Sequence, residues 1–125
     1  MRLLLDTRVF IWAVADSKNL KPAARDLMAA ADEVHVSAVS IREIAIKARL
    51  GKIQGDPAAF ADAIEESGFL ELAVRAHHGA AVANLPFYHT DPFDRLLVAQ
   101  AMAEPLHFLT ADAALTQYSS LVQIV

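Results

Sequence analysis

Cysteine is absent from this chain, which excludes disulfides, thiolate zinc sites and cysteine nucleophiles. Long hydrophobic runs are missing too. The opening residues MRLLLDT carry charge at the second and sixth positions, so the apolar run between them is far too short for a signal peptide or a membrane span. The cytoplasm is therefore the expected compartment, with no membrane partner. An excess of basic residues is also lacking: 11 Lys and Arg stand against 15 Asp and Glu, a formal net charge of −4. That balance argues against broad electrostatic binding to nucleic acid, which draws its affinity from phosphate neutralisation. There is no internal repeat, low-complexity tract or linker, and 125 residues at 55% hydrophobic content read as a single domain over 1–125. A chain of this size buries roughly two-thirds of its unfolded surface.

What is present is an alternation of short apolar runs and helical patterns. Leu3-Leu4-Leu5 is uninterrupted, as in a strand buried on both faces, and Thr7 to Ala15 then reads as helix. Pro22 opens a second helix running to Ala31, and Val34 to Val36 is a second strand. From Ile41 the apolar positions Ile41, Ile44, Ala45 and Ala48 follow helical spacing, with Gly51 as the stop. Pro57 to Gly68 is helical, Phe69 to Leu72 a strand, and 75–84 helical again. Asp91 as N-cap and Pro92 at the first helical position start the clearest helix. His107 to Leu109 gives a fourth strand, Ala111 to Gln117 a short helix, and Leu121 to Val125 a last strand. The alternation predicts a three-layer α/β/α fold around a mainly parallel sheet.

Four acids, Asp6, Glu43, Asp94 and Asp112, each stand where a strand ends or a helix begins. In a parallel sheet those ends share one edge, where such folds place ligands. Two carboxylates about 4 Å apart repel by roughly 4 kcal/mol at an effective dielectric near 20, so a cluster of them needs protons or a metal cation. A divalent-cation site follows. Each acid also has a capping explanation: Ser40-Ile41-Arg42-Glu43 matches a capping box, Glu43 with Lys47 makes an i, i+4 pair, Asp94 lies in the first turn after Asp91, and Thr110 can cap the helix that holds Asp112. Asp6 is the acid least explained by capping. Asp91 and Asp94, three apart, share a side.

The remaining polar residues divide more simply. Arg42, Lys47, Arg49 and Lys52 form a cationic stretch around Glu43, either a solvated helix face or a local patch. His77 and His78 point about 100° apart on a helix, and with His35 and His107 they read as structural or exposed. His89 alone stands near the acids, as a candidate substrate contact.

The blocks LLLDT, SAVSIREIAIKARLGKI from Ser37, HTDPFDRLLVAQA from His89 and FLTAD from Phe108 together resemble a PIN-domain ribonuclease, and in particular the toxin half of bacterial type II toxin–antitoxin pairs of the VapBC kind. Their order covers nearly the whole chain. The resemblance implies that Asp6, Glu43 and Asp94 bind metal, that Asp112 completes the site, and that Asp91, Thr110 and Ser40 support it, while Arg95 serves the fold. It further implies Mg²⁺ as cofactor with Mn²⁺ as substitute, RNA as substrate, a cognate antitoxin as partner, and a homodimer within the toxin–antitoxin complex. Arg8 and Arg42 replace the His and Trp that similar sequences often carry, adding cations beside the site. The implied reaction is hydrolysis of an RNA phosphodiester by water, leaving 5′-phosphate and 3′-hydroxyl ends.

A phosphoaspartyl phosphatase or receiver domain also uses an Asp after the first strand. Asp6-Thr7-Arg8 lacks the second Asp of a DxD start, however, and no middle strand ends in a phosphoacceptor Asp. The non-enzymatic alternative is a catalytically degenerate domain that only binds a protein partner, a reading disfavoured by the intact acid set.

Overall fold

The structure, a computed structural model, describes residues 1–125. Its sheet is built from β1 (Arg2–Leu5), β2 (Glu33–Ser37), β3 (Leu70–Leu72), β4 (His107–Thr110) and β5 (Val122–Ile124), in the order β3-β2-β1-β4-β5. All four pairings are parallel, so no strand departs from the common direction. The helices are α1 (Thr7–Val14), α2 (Pro22–Ala30), α3 (Ala38–Arg49), α4 (Pro57–Glu66), α5 (Ala76–Ala81) and α6 (Pro92–Ala103), with 3₁₀ turns at Val82–Asn84 and Ala113–Gln117. No helix is long and apolar enough to cross a membrane.

The leucine run explains the layering. Leu3 and Leu5 pack with Val9, Phe10, Ile44 and Ile64 on one face, whereas Leu4 packs with Leu97, Val98, Phe108 and Leu115 on the other. Alternate side chains of a strand point to opposite faces, so a strand covered on both sides reads as continuous apolar sequence. All three leucines are fully buried. Truncating such a residue to Ala typically costs 2–5 kcal/mol, roughly a third of a small domain's stability.

This topology creates the crevice. The chain steps outward from β1 to β2 to β3, then returns to place β4 on the other side of β1. The order reverses between β1 and β4, and beyond the carboxyl ends of those two strands lies the gap that open α/β sheets use for ligands.

Two helix starts differ from the sequence expectation. β2 runs through Ser37, which pairs with Leu72, and passes into α3 without a loop. Ser37 is thus the N-cap, its Oγ accepting from Val39 N at 3.1 Å, and Ser40 lies inside the helix. Glu43 therefore sits in the second turn and takes no part in a capping box. At the other boundary Asp112, not Thr110, caps the 3₁₀ turn at Ala113–Gln117, accepting from Ala114 N. Thr110 instead ends β4 with its side chain fully buried.

The end of α3 matches the expectation. Gly51 adopts φ +74°, and the bonds Gly51 N→Ala48 O (3.0 Å) and Lys52 N→Lys47 O (2.8 Å) form a Schellman turn. The chain reverses there, so that both Lys47 and Lys52 border the crevice.

Candidate metal centre

Asp6 leaves β1 directly into the crevice and is held from two sides. Its Oδ1 accepts from Val9 N at 2.7 Å, making it the N-cap of α1, and its Oδ2 accepts from Thr110 Oγ1 at 2.5 Å. Asp6 therefore does cap a helix, contrary to the sequence reading. Burial raises its pKa, outweighing the lowering by the Thr110 and Val9 hydrogen bonds and by Arg8, with the Glu43 charge adding a smaller upward push. Thr110 Oγ1 also accepts from Asp112 N at 3.1 Å. One hydroxyl thus ties together the acids that follow the two central strands.

Glu43 reaches the same space from α3. Its Oε1 accepts from Thr7 Oγ1 at 2.7 Å and its Oε2 from Lys47 Nζ at 2.5 Å, and the residue is only 5% exposed. Thr7 has a single hydroxyl proton, which goes to the charged partner; Ser40 Oγ, 2.9 Å from the same oxygen, supports it from behind. Ser40 therefore acts through Thr7, and Lys47 holds the far oxygen of the acid.

Pro92 at the first position of α6 sets the helix direction, and Asp91 Oδ1 accepts from both Phe93 N and Asp94 N. Asp94 then projects from the first turn. Its pKa is raised to about 7, first by burial and then by the charges of Asp91, Asp6 and Glu43, with His89 pulling the other way. Asp112 is the most open of the four, its side chain 40% exposed; Oδ1 caps the 3₁₀ turn and Oδ2 lies 2.8 Å from His89 Nε2.

These residues border one cavity of about 570 Å³. Asp6, Glu43, Asp91, Asp94 and Asp112 line it together with Arg8, Lys47 and Lys52. All five predicted supporting residues have defined places: Asp91 and Arg8 on the wall, Thr110 and Ser40 behind it, and His89 touching Asp112 and 3.8 Å from Asp94. Arg42 is exposed and does not border the cavity, so only Arg8 of that pair adds a cation there. Arg95 is buried, donating to Pro86 O and Tyr118 Oη and stacking on Phe87, which makes it a structural residue as expected. Thr7 is not singled out by the sequence reading, and Lys52 appears there only within the cationic stretch around Glu43. Thr7 follows Asp6 directly, and Lys52 follows the helix-stopping Gly51, which are the signals that point to them.

The donor set decides what such a site can hold. The acids offer hard carboxylate oxygens, suited to Mg²⁺ or Mn²⁺ and unsuited to soft metals. Burial first, and the neighbouring carboxylates second, raise Asp6 and Asp94, and a divalent cation would offset both penalties. The residues fit such an ion. A second group, His77, His78 and Glu104, lies elsewhere. There His78 Nδ1 accepts from Arg75 N at 3.0 Å, which places the ring proton on Nε2, donated to Glu104 at 2.7 Å. With no lone pair at Nε2, this is a hydrogen-bonded brace for α5 against α6.

A family model for the PIN domain matches residues 3–121. No curated relative matches the chain in sequence. Solved structures similar to it include VapBC2 from Rickettsia felis bound to a DNA fragment from its promoter, with a TM-score of 0.69, 14% identity, and coverage of 100% of this chain and 98% of that one. A toxin–antitoxin complex from Klebsiella pneumoniae gives a TM-score of 0.66 at 16% identity, covering 98% and 95% of the two chains. FitAcB from Neisseria gonorrhoeae gives 0.57 at 18% identity, covering 90% and 88%.

Proposed function

The chain belongs to the PIN domain family, a family of nucleases, and from that premise we propose that it is a divalent-metal-dependent endoribonuclease acting as the toxin of a toxin–antitoxin pair. The observation that carries this reading is the convergence of Asp6, Glu43, Asp94 and Asp112 on one cavity at the carboxyl edge of the sheet. The likeness to VapBC2 and to the Klebsiella toxin–antitoxin complex supports the biological setting.

Asp6, Glu43 and Asp94 would hold Mg²⁺, with Mn²⁺ as substitute, and Asp112 would complete the set. A bound divalent ion lowers the pKa of water and neutralises charge on the scissile phosphodiester. The protein's own contribution is placement. Thr110 fixes Asp6, Thr7 and Lys47 fix the two oxygens of Glu43, and the Asp91 cap fixes the first turn that carries Asp94. Arg8 and Lys52, on the cavity wall, orient the phosphate backbone. With water as the nucleophile and the 3′ oxygen as the leaving group, the products would carry 5′-phosphate and 3′-hydroxyl ends, and the RNA 2′-OH would not be required.

The same electrostatics suit an antitoxin. A partner segment carrying Arg into the acid cluster competes with the metal and switches the enzyme off, within an assembly built on a homodimer of this chain. Incubating the purified protein with total RNA and Mg²⁺ or Mn²⁺, against an EDTA control and against Asp6→Asn and Asp94→Asn, tests the chemistry. Cleavage unaffected by chelator or by both substitutions rejects it. Expression of the chain alone should arrest growth, and co-expression of the neighbouring gene's product should relieve the arrest.

A further inference from the structure

His89 has the position of a metal ligand and the protonation of something else. Its Nε2 and one oxygen each of Asp94 and Asp112 lie within 4.8 Å of one another. Its Nδ1, however, lies 3.1 Å from the backbone nitrogen of Asp91, which can only donate. A neutral imidazole carries one proton, so the ring that accepts at Nδ1 bears its hydrogen on Nε2. That hydrogen faces Asp112 Oδ2 at 2.8 Å, while Asp94 Oδ2 stands off at 3.8 Å. The nitrogen nearest the acids therefore has no lone pair for a metal and one proton for a carboxylate.

The acid it faces is the most exposed of the four. Asp6 and Glu43 are nearly fully buried and hydrogen-bonded on both oxygens, whereas the Asp112 side chain is 40% exposed and is held otherwise only by its cap to Ala114 N. His89 is itself anchored at two points. Its backbone N donates to Tyr118 Oη at 2.9 Å, and that same oxygen accepts from the buried Arg95 at 3.1 Å. Ring orientation comes from Asp91, the residue that also sets the first turn carrying Asp94.

We propose that His89 is a positioning residue for Asp112: through an Nε2–H bond, in a tautomer imposed by the Asp91 backbone, it fixes the fourth carboxylate toward the cavity and is neither a metal ligand nor a substrate contact. The proposal rests on reading the site as a metal-dependent nuclease. It also accounts for Arg95 and Tyr118, whose bonds carry the rigidity of the α6 layer to an exposed acid.

The test combines ring nitrogen NMR with metal binding and kinetics on the full chain. In the metal-free protein, long-range ¹H–¹⁵N spectra should show His89 protonated at Nε2, and that signal should shift in Asp112→Asn. On adding Mg²⁺ the Nε2 proton should persist. His89→Ala should weaken Mn²⁺ binding, read by calorimetry, and lower kcat by about 10- to 100-fold, as removal of a ligand-orienting group typically does, with KM for a short RNA within about twofold. His89→Gln, which keeps a donor at similar reach, should restore most of both. In an Asp112→Asn background, His89→Ala should add little. An Nδ1–H tautomer, loss of the Nε2 proton on Mg²⁺ binding, or equal His89→Ala effects with and without Asp112 overturns the proposal. A wild-type protein that neither binds Mg²⁺ nor cuts RNA overturns the nuclease reading instead, and the tautomer and its response to Asp112→Asn remain visible in the spectra.

Discussion

Substituting Asp94 by Asn should make the metal-free protein more stable while removing its activity. The carboxyl of Asp94 is raised from 3.8 to about 7, chiefly by burial and by the neighbouring Asp91, Asp6 and Glu43. In the unfolded chain it ionises near 3.8, so between that pH and about 7 the folded protein keeps a proton that the unfolded chain has lost. Stability falls with rising pH across this window and stays reduced above it. At about 1.4 kcal/mol per pH unit, the full effect at pH 8 is about 4 kcal/mol. The side chain is 23% exposed, and solvent screening reduces this to about 2 kcal/mol. Asn also gives up a favourable charge in the first turn of α6, a loss of about 0.5 kcal/mol. The net gain of roughly 1.5 kcal/mol corresponds to about 5 °C in Tm for a domain of this size. Thermal melts in EDTA at pH 8 should show that increase, and melts at pH 4 should show none. Mg²⁺ should then raise the Tm of the wild type and leave the variant unmoved. A variant that melts lower than the wild type at pH 8 without metal would mean that neither burial nor neighbouring charge penalises the ionised Asp94, and the argument for a cation would lose its electrostatic basis.

Other measurements follow from the same geometry. With Asp94 near neutrality, Mg²⁺ binding at pH 7 should release about half a proton from this group, detectable by calorimetry in buffers of different ionisation enthalpy, and affinity should fall by up to about tenfold per pH unit below 6. Thr110→Val removes the donor to Asp6 Oδ2 and the acceptor for Asp112 N; a cost of about 1–3 kcal/mol in denaturant melts is expected, together with weaker Mn²⁺ binding. Arg95→Met should destabilise by about 1–3 kcal/mol, because it removes the donor to Pro86 O and one of the two donors to Tyr118 Oη; metal affinity should drop as well, through the loosened Tyr118.

Much of this was legible in the chain, and the exceptions share a cause. Leu3 to Leu5, the Asp91-Pro92 start of α6 and the stop at Gly51 are local signals whose physics lies within a few residues, and each is found where the sequence placed it. The convergence of the four acids followed from strand direction alone. The start of α3 did not, because Ser37 and Ser40 are equally good caps and the choice is made at long range: Ser37 Oγ donates to Gln100 Oε1 at 2.5 Å from α6, and Ser40 is drawn to Thr7. Thr110 likewise reads locally as a cap for the next helix, and only the family resemblance points it to the site; its hydroxyl donates to Asp6, 104 residues away, while accepting from Asp112 N. Arg8 and Arg42 look alike in sequence, yet only the azimuth of each helix decides which borders the cavity. Short polar side chains with several reachable partners are where sequence reading ends.

The reversal of strand order beside β1 also bears on when the acid site can form. Asp6 emerges before the other three acids, but the strand whose Thr110 secures it, and which precedes Asp112, follows only after the whole β2–β3 arm has been made. An N-terminal fragment ending before His107 contains three of the four acids and lacks the strand that pairs with β1 on the side of the crevice. The four-acid site is thus a property of the finished sheet. On the nuclease reading proposed above, topology holds the site incomplete during synthesis until β4 has emerged and paired with β1.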